Sequence, residues 1–489
     1  MLNSAGSSGF APGVGLHVVV MAAGKGTRMK SARPKVLHRL AGRALLSHVL
    51  DSAAGLKPSQ CVVITGHGAL EVEASLAERP KGDMRLRTVR QEPQLGTGHA
   101  VQQALPHLPD DGVVLVLSGD VPLIEAQTLA PLVALAMPAK VSDGGGASNA
   151  TGALALLTMD LPDPTGYGRI VRSSDGERVQ AIVEHKDATD AQRAITEVYS
   201  GILAAPAAAL KTWLAALSND NAQGEYYLTN VVRLAVASGH AVQAQRLADV
   251  VQVAGVNTPA QLAELERAWQ QRHAQSLMAQ GVRLADPARL DVRGTLRCGQ
   301  DVEIDVNGVF EGDVYLGDGV RVGANCVLKN VHVAAGAVIQ PFSHIEGGAV
   351  PVQVGAGATV GPFARLRPGT VLGEQVHIGN FVEVKNSILA AGAKANHLAY
   401  LGDASVGERV NYGAGSITAN YDGGNKHRTV IEDDVHVGSN CVLVAPITVG
   451  AGGTVGAGST LTKNTAPGAL TVARGKPVSV PNYKRPSKA

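Results

Sequence analysis

The chain has 489 residues, too many for one ordinary core, so two or three domains are expected. Its formal net charge is only +2, from 43 Lys and Arg against 41 Asp and Glu, which argues against nucleic acid or a membrane surface as partner. Four scattered cysteines (Cys61, Cys298, Cys326, Cys441) without C-x-x-C spacing speak against zinc and a secreted disulfide framework, and no apolar run reaches the ~18 residues of a membrane span, which together suit a reducing cytosol.

Residues 1–13 are rich in Gly, Ser and Ala, with no arginine and no apolar core, and read as a disordered lead, not a signal peptide. From 14 to 257 apolar runs alternate with helical patterns. Strands are expected at Val14–Val20, Cys61–Thr65, Arg85–Val89, Val113–Leu117 and Ala153–Leu157, with helices between them such as Ala44–Leu56 and Thr97–Leu108. This order predicts an α/β, Rossmann-like domain: a mostly parallel sheet with helices on both faces and ligands at the carboxyl ends of the strands. The first strand runs into Met21-Ala-Ala-Gly-Lys-Gly-Thr-Arg-Met29, then Pro34-Lys35, before a helical pattern expected from Val36. Glycines let backbone N–H groups approach phosphate oxygens without a Cβ in the way, and Lys25, Arg28 and Lys35 bring three cations to the same place. The loop suits a polyphosphate. Its spacing is neither G-x-x-x-x-G-K-[ST] nor G-x-G-x-x-G; A-A-G-x-G-T-R-M followed by P-K resembles the signature of the sugar-nucleotide pyrophosphorylases, which transfer a nucleotidyl group to a sugar 1-phosphate.

Further along, Gln91-Glu-Pro-Gln-Leu-Gly-Thr-Gly-His99 puts Gly96 and Thr97 at a helix start, where Gln91 and backbone groups could read a pyrimidine edge; a plain N-cap with a glycine turn fits the spacing equally well. Asp120, in Ser118-Gly-Asp-Val-Pro122, closes a strand beside the basic loop, a place suited to Mg²⁺. Asp163–Arg169 (DPTGYGR) and Ile182–Asp187 (IVEHKD) add a glycine-rich loop and a carboxylate able to grip sugar hydroxyls. Thr258-Pro259 reads as an N-cap with Pro at the first helical position, opening a linker helix over 258–280 with Leu262, Leu265, Trp269, Arg272 and Ser276 on one stripe.

Residues 281–489 are expected to form a further domain, and from about Asp301 the period changes to six. Val354, Val360, Leu366, Leu372, Ile378 and Val384 recur six apart, with Ala358, Ala364, Thr370, Val376, Val382 and Ile388 four places after each. Val437, Leu443, Val449, Val455 and Leu461 form a second clean run. A hexapeptide repeat marks a parallel β-helix whose narrow interior takes aliphatic side chains, which explains 3% aromatics beside 58 glycines. Similarity to hexapeptide acyltransferases implies a left-handed coil, against the right-handed crossover rule. The period breaks at Glu346–Gln353 and at Thr418–Thr429 (TANYDGGNKHRT), the second polar enough to carry function.

At this point residues 14–486 resemble the bacterial bifunctional N-acetylglucosamine-1-phosphate uridyltransferase/glucosamine-1-phosphate acetyltransferases, in the family's domain order. The resemblance implies that Ala22, Ala23, Gly24, Lys25, Gln91, Gly96 and Thr97 bind UTP, and that Arg28 and Lys35 act on its phosphates. It implies further that Asp120 and Asn257 ligate Mg²⁺, and that Gly168, Glu184 and Asn257 contact the amino sugar. One departure is visible: the family's E-I-N-T-G is here Glu197-Val-Tyr-Ser-Gly201, so Tyr199 stands where a sugar-contacting Asn is expected. In the β-helix, Arg367, Lys385, Tyr400, Asn411 and Lys426 are implied to hold glucosamine 1-phosphate, with His397 as general base. Ala414, Asn420, Tyr421, Ser439, Ala457 and Arg474 are implied to bind acetyl-CoA. The implied enzyme is a cytoplasmic homotrimer with acetyl sites shared between subunits, making UDP-N-acetylglucosamine for peptidoglycan and lipopolysaccharide precursors. Two other readings stay open on the residues: a single-activity nucleotidyltransferase on an oligomerising β-helix, and a non-catalytic assembly subunit.

Overall fold

The computed structural model describes residues 15–79, 84–138 and 152–485; the expected lead at 1–13 and the start of the first strand at Val14 lie outside them. The chain divides into two compact units, the boundary falling between Ala268 and Trp269.

The first unit is built on strands β1 (Leu16–Ala22), β2 (Gln60–Thr65), β3 (Arg85–Arg90), β4 (Val113–Ser118), β5 (Leu154–Asp160), β6 (Glu197–Pro206) and β7 (Val242–Arg246), in the order β7-β5-β6-β4-β1-β2-β3. All neighbours run parallel except β6, which is antiparallel to β4 and β5. Alternation in β1 explains the two cores. Val18 and Val20 pack with Leu46, Val49, Leu129 and Leu132 on one face, while Val19 packs with Val101, Leu210, Trp213 and Val231 on the other. The helices on the two faces therefore come from different parts of the chain, as a doubly covered sheet requires.

Three expectations need correction. No helix begins at Val36: Lys35–Leu37 is a single 3-10 turn, and Arg39–Leu40 pairs antiparallel with Arg43–Ala44 before the helix starts at Leu45. Ala41 and Gly42, both at positive φ, form the two-residue turn that such a hairpin needs. The helix from Thr97 ends at Gln102, followed by a 3-10 turn at Leu105–His107 with Pro106 inside it. Strands β6 and β7, and a hairpin of Arg169–Arg172 with Val179–Val183, are additional to the expected set.

The helix at Pro259–Ala279 starts with a reciprocal cap: Thr258 Oγ1 accepts from Gln261 N–H, and Gln261 Oε1 accepts from Thr258 N–H. Its buried positions are Leu265, Gln270, Ala274 and Leu277, whereas Ser276 is exposed. The stripe read from spacing thus drifts off the packed face after Trp269. Gln270 replaces a strand partner, its amide donating to Val292 O and accepting from Val292 N–H, each at 2.9 Å.

The second unit is a parallel β-helix. Each turn visits three faces: for example Thr359–Val360 on the first, Arg365–Leu366 on the second and Val371–Leu372 on the third, before His377–Asn380 returns to the first. The aliphatic positions of both predicted runs are buried and stack coil on coil. Ile388 breaks the pattern. Leu366 pairs with Val384, but Val384 pairs with Leu401, so the coil shortens by one residue. Ile388 is therefore 50% exposed, and Ser387 turns inward, its Oγ donating to Lys385 O at 2.8 Å. The polar insertion leaves the coil only at 420–428; Thr418 and Thr429 sit in coil strands.

Candidate functional site

In the first unit, a cavity of about 480 Å³ opens at the carboxyl ends of β1 and β4. Ala22, Ala23, Gly24, Lys25, Lys35, Gln91, Gly96, Thr97 and Asp120 line it, all of them expected from sequence. Two glycines are required here. Gly26 has φ 60, and a Cβ on it would stand 2.7 Å from Lys35 Cβ, so only glycine lets the loop close on Lys35. Gly96 has φ 104, and a Cβ there would meet Tyr226 O at 2.7 Å. Thr97 Oγ1 accepts from Leu228 N–H at 3.1 Å, and Gln91 Nε2 donates to Gly96 O at 2.9 Å.

Cations and oxygens interlock at one edge of the cavity. The Lys35 ammonium pairs with Asp120 Oδ2 and donates to Asn257 Oδ1 at 3.2 Å; Arg28 donates to the same Asn257 oxygen at 2.8 Å. Asp120 and Asn257 are brought together by Val256 N–H donating to Asp120 O. Near them, burial pushes the Tyr167 phenol up, Asp120 adds to this, and Arg28 opposes it.

Gly168, Glu184 and Tyr199 form a separate cluster. Tyr199 N–H donates to Gly168 O, and Thr229 Oγ1 donates to Glu184 Oε1 at 2.9 Å. Burial, with Asp187 and Glu225 adding, raises the Glu184 carboxyl above its ordinary value, while Thr229 opposes this. Tyr199 sits in the core with Ile170 and Ile182, its hydroxyl shut from solvent and without a partner among the described residues. Burial and then Glu184 push that phenol well up. Three polar cavity residues went unread in the sequence: Gln94, whose Nε2 donates to Ala23 O at 2.8 Å, Ser118 and Glu225. Gln94 and Ser118 lay inside quoted motifs; Glu225 carried no local signal.

In the β-helix the expected residues divide between two corners. Between the first and second faces, successive coils stack His397, Ala414, Ser439 and Ala457: Gly415 N–H donates to His397 O, Asn440 N–H to Ala414 O and Gly458 N–H to Ser439 O. Arg474 joins this column by donating to Ala457 O at 2.8 Å, and Asn411 lies on the adjoining first face. The exposed His397 ring places Nδ1 2.8 Å from Asn380 Oδ1; an amide oxygen only accepts, so Nδ1 donates there, which in the neutral ring leaves the lone pair on Nε2.

The other corner, between the second and third faces, holds Arg367, Lys385, Asn420, Tyr421 and Lys426, with Tyr400 on the second face. Lys426, then burial and Arg367, hold the Lys385 ammonium below the ordinary lysine range, with Asp403 pulling the other way. Three cations at one corner favour an anion between them. Asn420 is buried and fixed by its bond to Asp403, whereas Tyr421 is 63% exposed with its hydroxyl donating to Gly423 O. The Asp422 carboxyl is held far below the ordinary range by Asn425 N–H, His427 and Gly424 N–H, which ties the loop carrying Lys426.

Among known proteins, residues 18–285 match the MobA-like NTP transferase domain family, and residues 428–463 match the bacterial transferase hexapeptide model of six repeats. The chain is 68% identical over 479 residues to the Bifunctional protein GlmU of Albidiferax ferrireducens, spanning 97% of this chain and 100% of that one. It is 68% identical over 482 residues to the protein of the same name from Paracidovorax citrulli, spanning 97% and 98%. With that of Azoarcus sp. it shares 56% over 473 residues, spanning 97% and 100%.

Proposed function

From the premise that the chain belongs to the bifunctional GlmU protein family, we propose a two-step route to UDP-N-acetylglucosamine. Glucosamine 1-phosphate is acetylated from acetyl-CoA on the left-handed β-helix, and the product is uridylylated from UTP in the first unit. The observation that carries it is the pair of unlike sites in one chain, a cation-lined cavity and a β-helix with an exposed imidazole on one corner and a cation cluster on another.

In the first unit a sugar 1-phosphate oxygen attacks the α-phosphorus of UTP in line, the bond to the β-phosphate oxygen breaks, and pyrophosphate leaves. The nucleophile is already anionic, so no protein nucleophile is needed. Lys25, Arg28 and Lys35 neutralise the polyphosphate. Gln91, Gly96 and Thr97 hold the base, and Gly168, Glu184 and Asn257 the sugar, with Tyr199 packing beneath them. Asp120 Oδ2 and Asn257 Oδ1 already converge on one cation, the Lys35 ammonium, and such a pair of hard oxygens fits Mg²⁺. Bound there, Mg²⁺ would supply charge neutralisation on the phosphates.

On the β-helix, Arg367, Lys385 and Lys426 take the phosphate of glucosamine 1-phosphate, with Tyr400 and Asn411 on the sugar. His397 Nε2 accepts a proton from the C2 amine as nitrogen attacks the thioester carbonyl. The C–S bond then breaks and CoA leaves as the thiol, its sulfur taking the proton that His397 accepted. Asn420 and Ser439 donate to the transient oxyanion, while Ala414, Tyr421, Ala457 and Arg474 hold acetyl-CoA. The two groups of residues occupy different corners of one coil, which supports a homotrimer in which one copy's His397 column meets its neighbour's cation cluster. Four free cysteines support a reducing cytoplasm, and among the described residues no helix is long and apolar enough to cross a membrane.

The test is a pair of assays on full-length protein. His397→Ala should lose acetyl transfer by roughly 100-fold or more while uridylylation persists, and Asp120→Ala should do the reverse. Wild type that uridylylates but never acetylates would favour a nucleotidyltransferase with an inert coil.

A further inference from the structure

A second cavity in the first unit, of about 340 Å³, shares no lining residue with the one described above. Arg33, Arg39 and Arg43 stand round it with Ser47 and Ser75, and among the described residues its lining holds no carboxylate and no aromatic ring. The hairpin of Arg39–Leu40 with Arg43–Ala44 supplies two of the arginines, and helices Leu45–Gly55 and Ala69–Ala77 supply a serine each. Asp51, which does not line the cavity, accepts from both Arg43 and Arg79, so one carboxylate answers two guanidinium groups. Arg33 and Arg39 are exposed, and among the described residues neither guanidinium has a carboxylate partner. The cavity also shares a wall with the first. Along one short segment Arg33 and Leu37 line the arginine cavity, while Lys35 and Val36 line the cavity where Lys35 meets Asp120. Between them Pro34 is buried against Gly68, where an added Cβ would clash with Pro34 Cγ, so the segment has little slack.

We propose that this second cavity binds inorganic phosphate or pyrophosphate, and that its occupancy weakens UTP binding in the first. A guanidinium fork presents paired N–H donors that match phosphate oxygens, and serine hydroxyls donate to the same oxygens. With no acid to repel an anion and no ring to stack a base, the lining favours the free anion over a nucleotide. An anion held by Arg33 adds negative charge two residues from Lys35, and it draws the shared segment away from the first cavity. Both effects oppose the binding of a polyphosphate there. The coupling rests on the reading of the first cavity as a UTP site; the binding of phosphate does not.

Equilibrium dialysis of the full-length protein against radiolabelled inorganic phosphate should find one more phosphate per wild-type chain than per chain of Arg33→Gln with Arg39→Gln. Both side chains are exposed and neither lines the first cavity, so the double variant should melt as wild type does. Without phosphate it should also uridylylate at the wild-type rate. Added phosphate at constant ionic strength should raise the KM for UTP roughly fivefold more in wild type than in the variant, since competition within the first cavity is common to both. Equal phosphate counts overturn the site. An extra phosphate with equal KM responses overturns the coupling alone. If UMP displaces the extra phosphate at lower concentration than pyrophosphate does, the choice of a free anion is overturned.

Discussion

Tyr199 shows how one side chain can occupy a place that the family pattern reserves for another. Its hydroxyl is buried without a partner among the described residues, a state that costs about 1–3 kcal/mol, and the ring packs from β6 into an apolar core. Tyr199→Phe should therefore hold or raise the melting temperature by the equivalent of about 1 kcal/mol. It should leave the KM for N-acetylglucosamine 1-phosphate unchanged within roughly twofold, since a closed hydroxyl offers the sugar no hydrogen bond. A rise in KM beyond tenfold with Phe would show that the hydroxyl reaches the sugar. Lys385 illustrates the opposite case, a charge held against its neighbours. Lys426 and Arg367 depress its ammonium, so an added anion should relieve them. Inorganic phosphate should raise the melting temperature of wild type more than that of Lys426→Ala, measured at equal ionic strength.

Strand β6 owes its placement to pairs its own residues make. Glu197 accepts from Arg172 at 2.7 and 2.8 Å and from Thr158 at 3.0 Å, and it pairs with Arg246 at 3.0 Å, tying β6 to three other strands. Burial alone would raise this carboxyl, but Arg172, Thr158 and Arg246 outweigh it and the net direction is down. The stabilisation is thus present above the ordinary carboxylate range and is lost as pH falls through the depressed value. Glu197→Gln should lower stability near neutral pH by about 2 kcal/mol, less than a fully buried pair because Arg246 is half exposed. The difference from wild type should shrink below about pH 4 in thermal melts. A constant gap across that range would contradict the account. The capped helix and the Gln270 clamp are also locally encoded, yet the helix face that packs keeps Leu265 and Trp269 of the predicted stripe and then follows Ala274 and Leu277 in place of Arg272 and Ser276.

At the scale of the molecule, two units divide within one helix and each carries its own chemistry. The hexads were legible because a β-helix is nearly one-dimensional: each interior side chain meets its counterpart one coil away, so burial repeats in the sequence itself. The cation loop was legible because Gly24 to Lys35 are close along the chain. Tertiary structure alone decided the rest. Lys35 meets Asn257 across 222 residues, a contact set by sheet order and not by any local pattern. The one-residue shortening after Val384 turned Ile388 outward, and the long insertion pushed Lys426 out beside Lys385. Sequence by itself determined the two folds, the basic loop and the family; only the folded coil showed that His397 and the cation cluster stand on different corners, because which corner a residue reaches depends on the summed length of every coil before it.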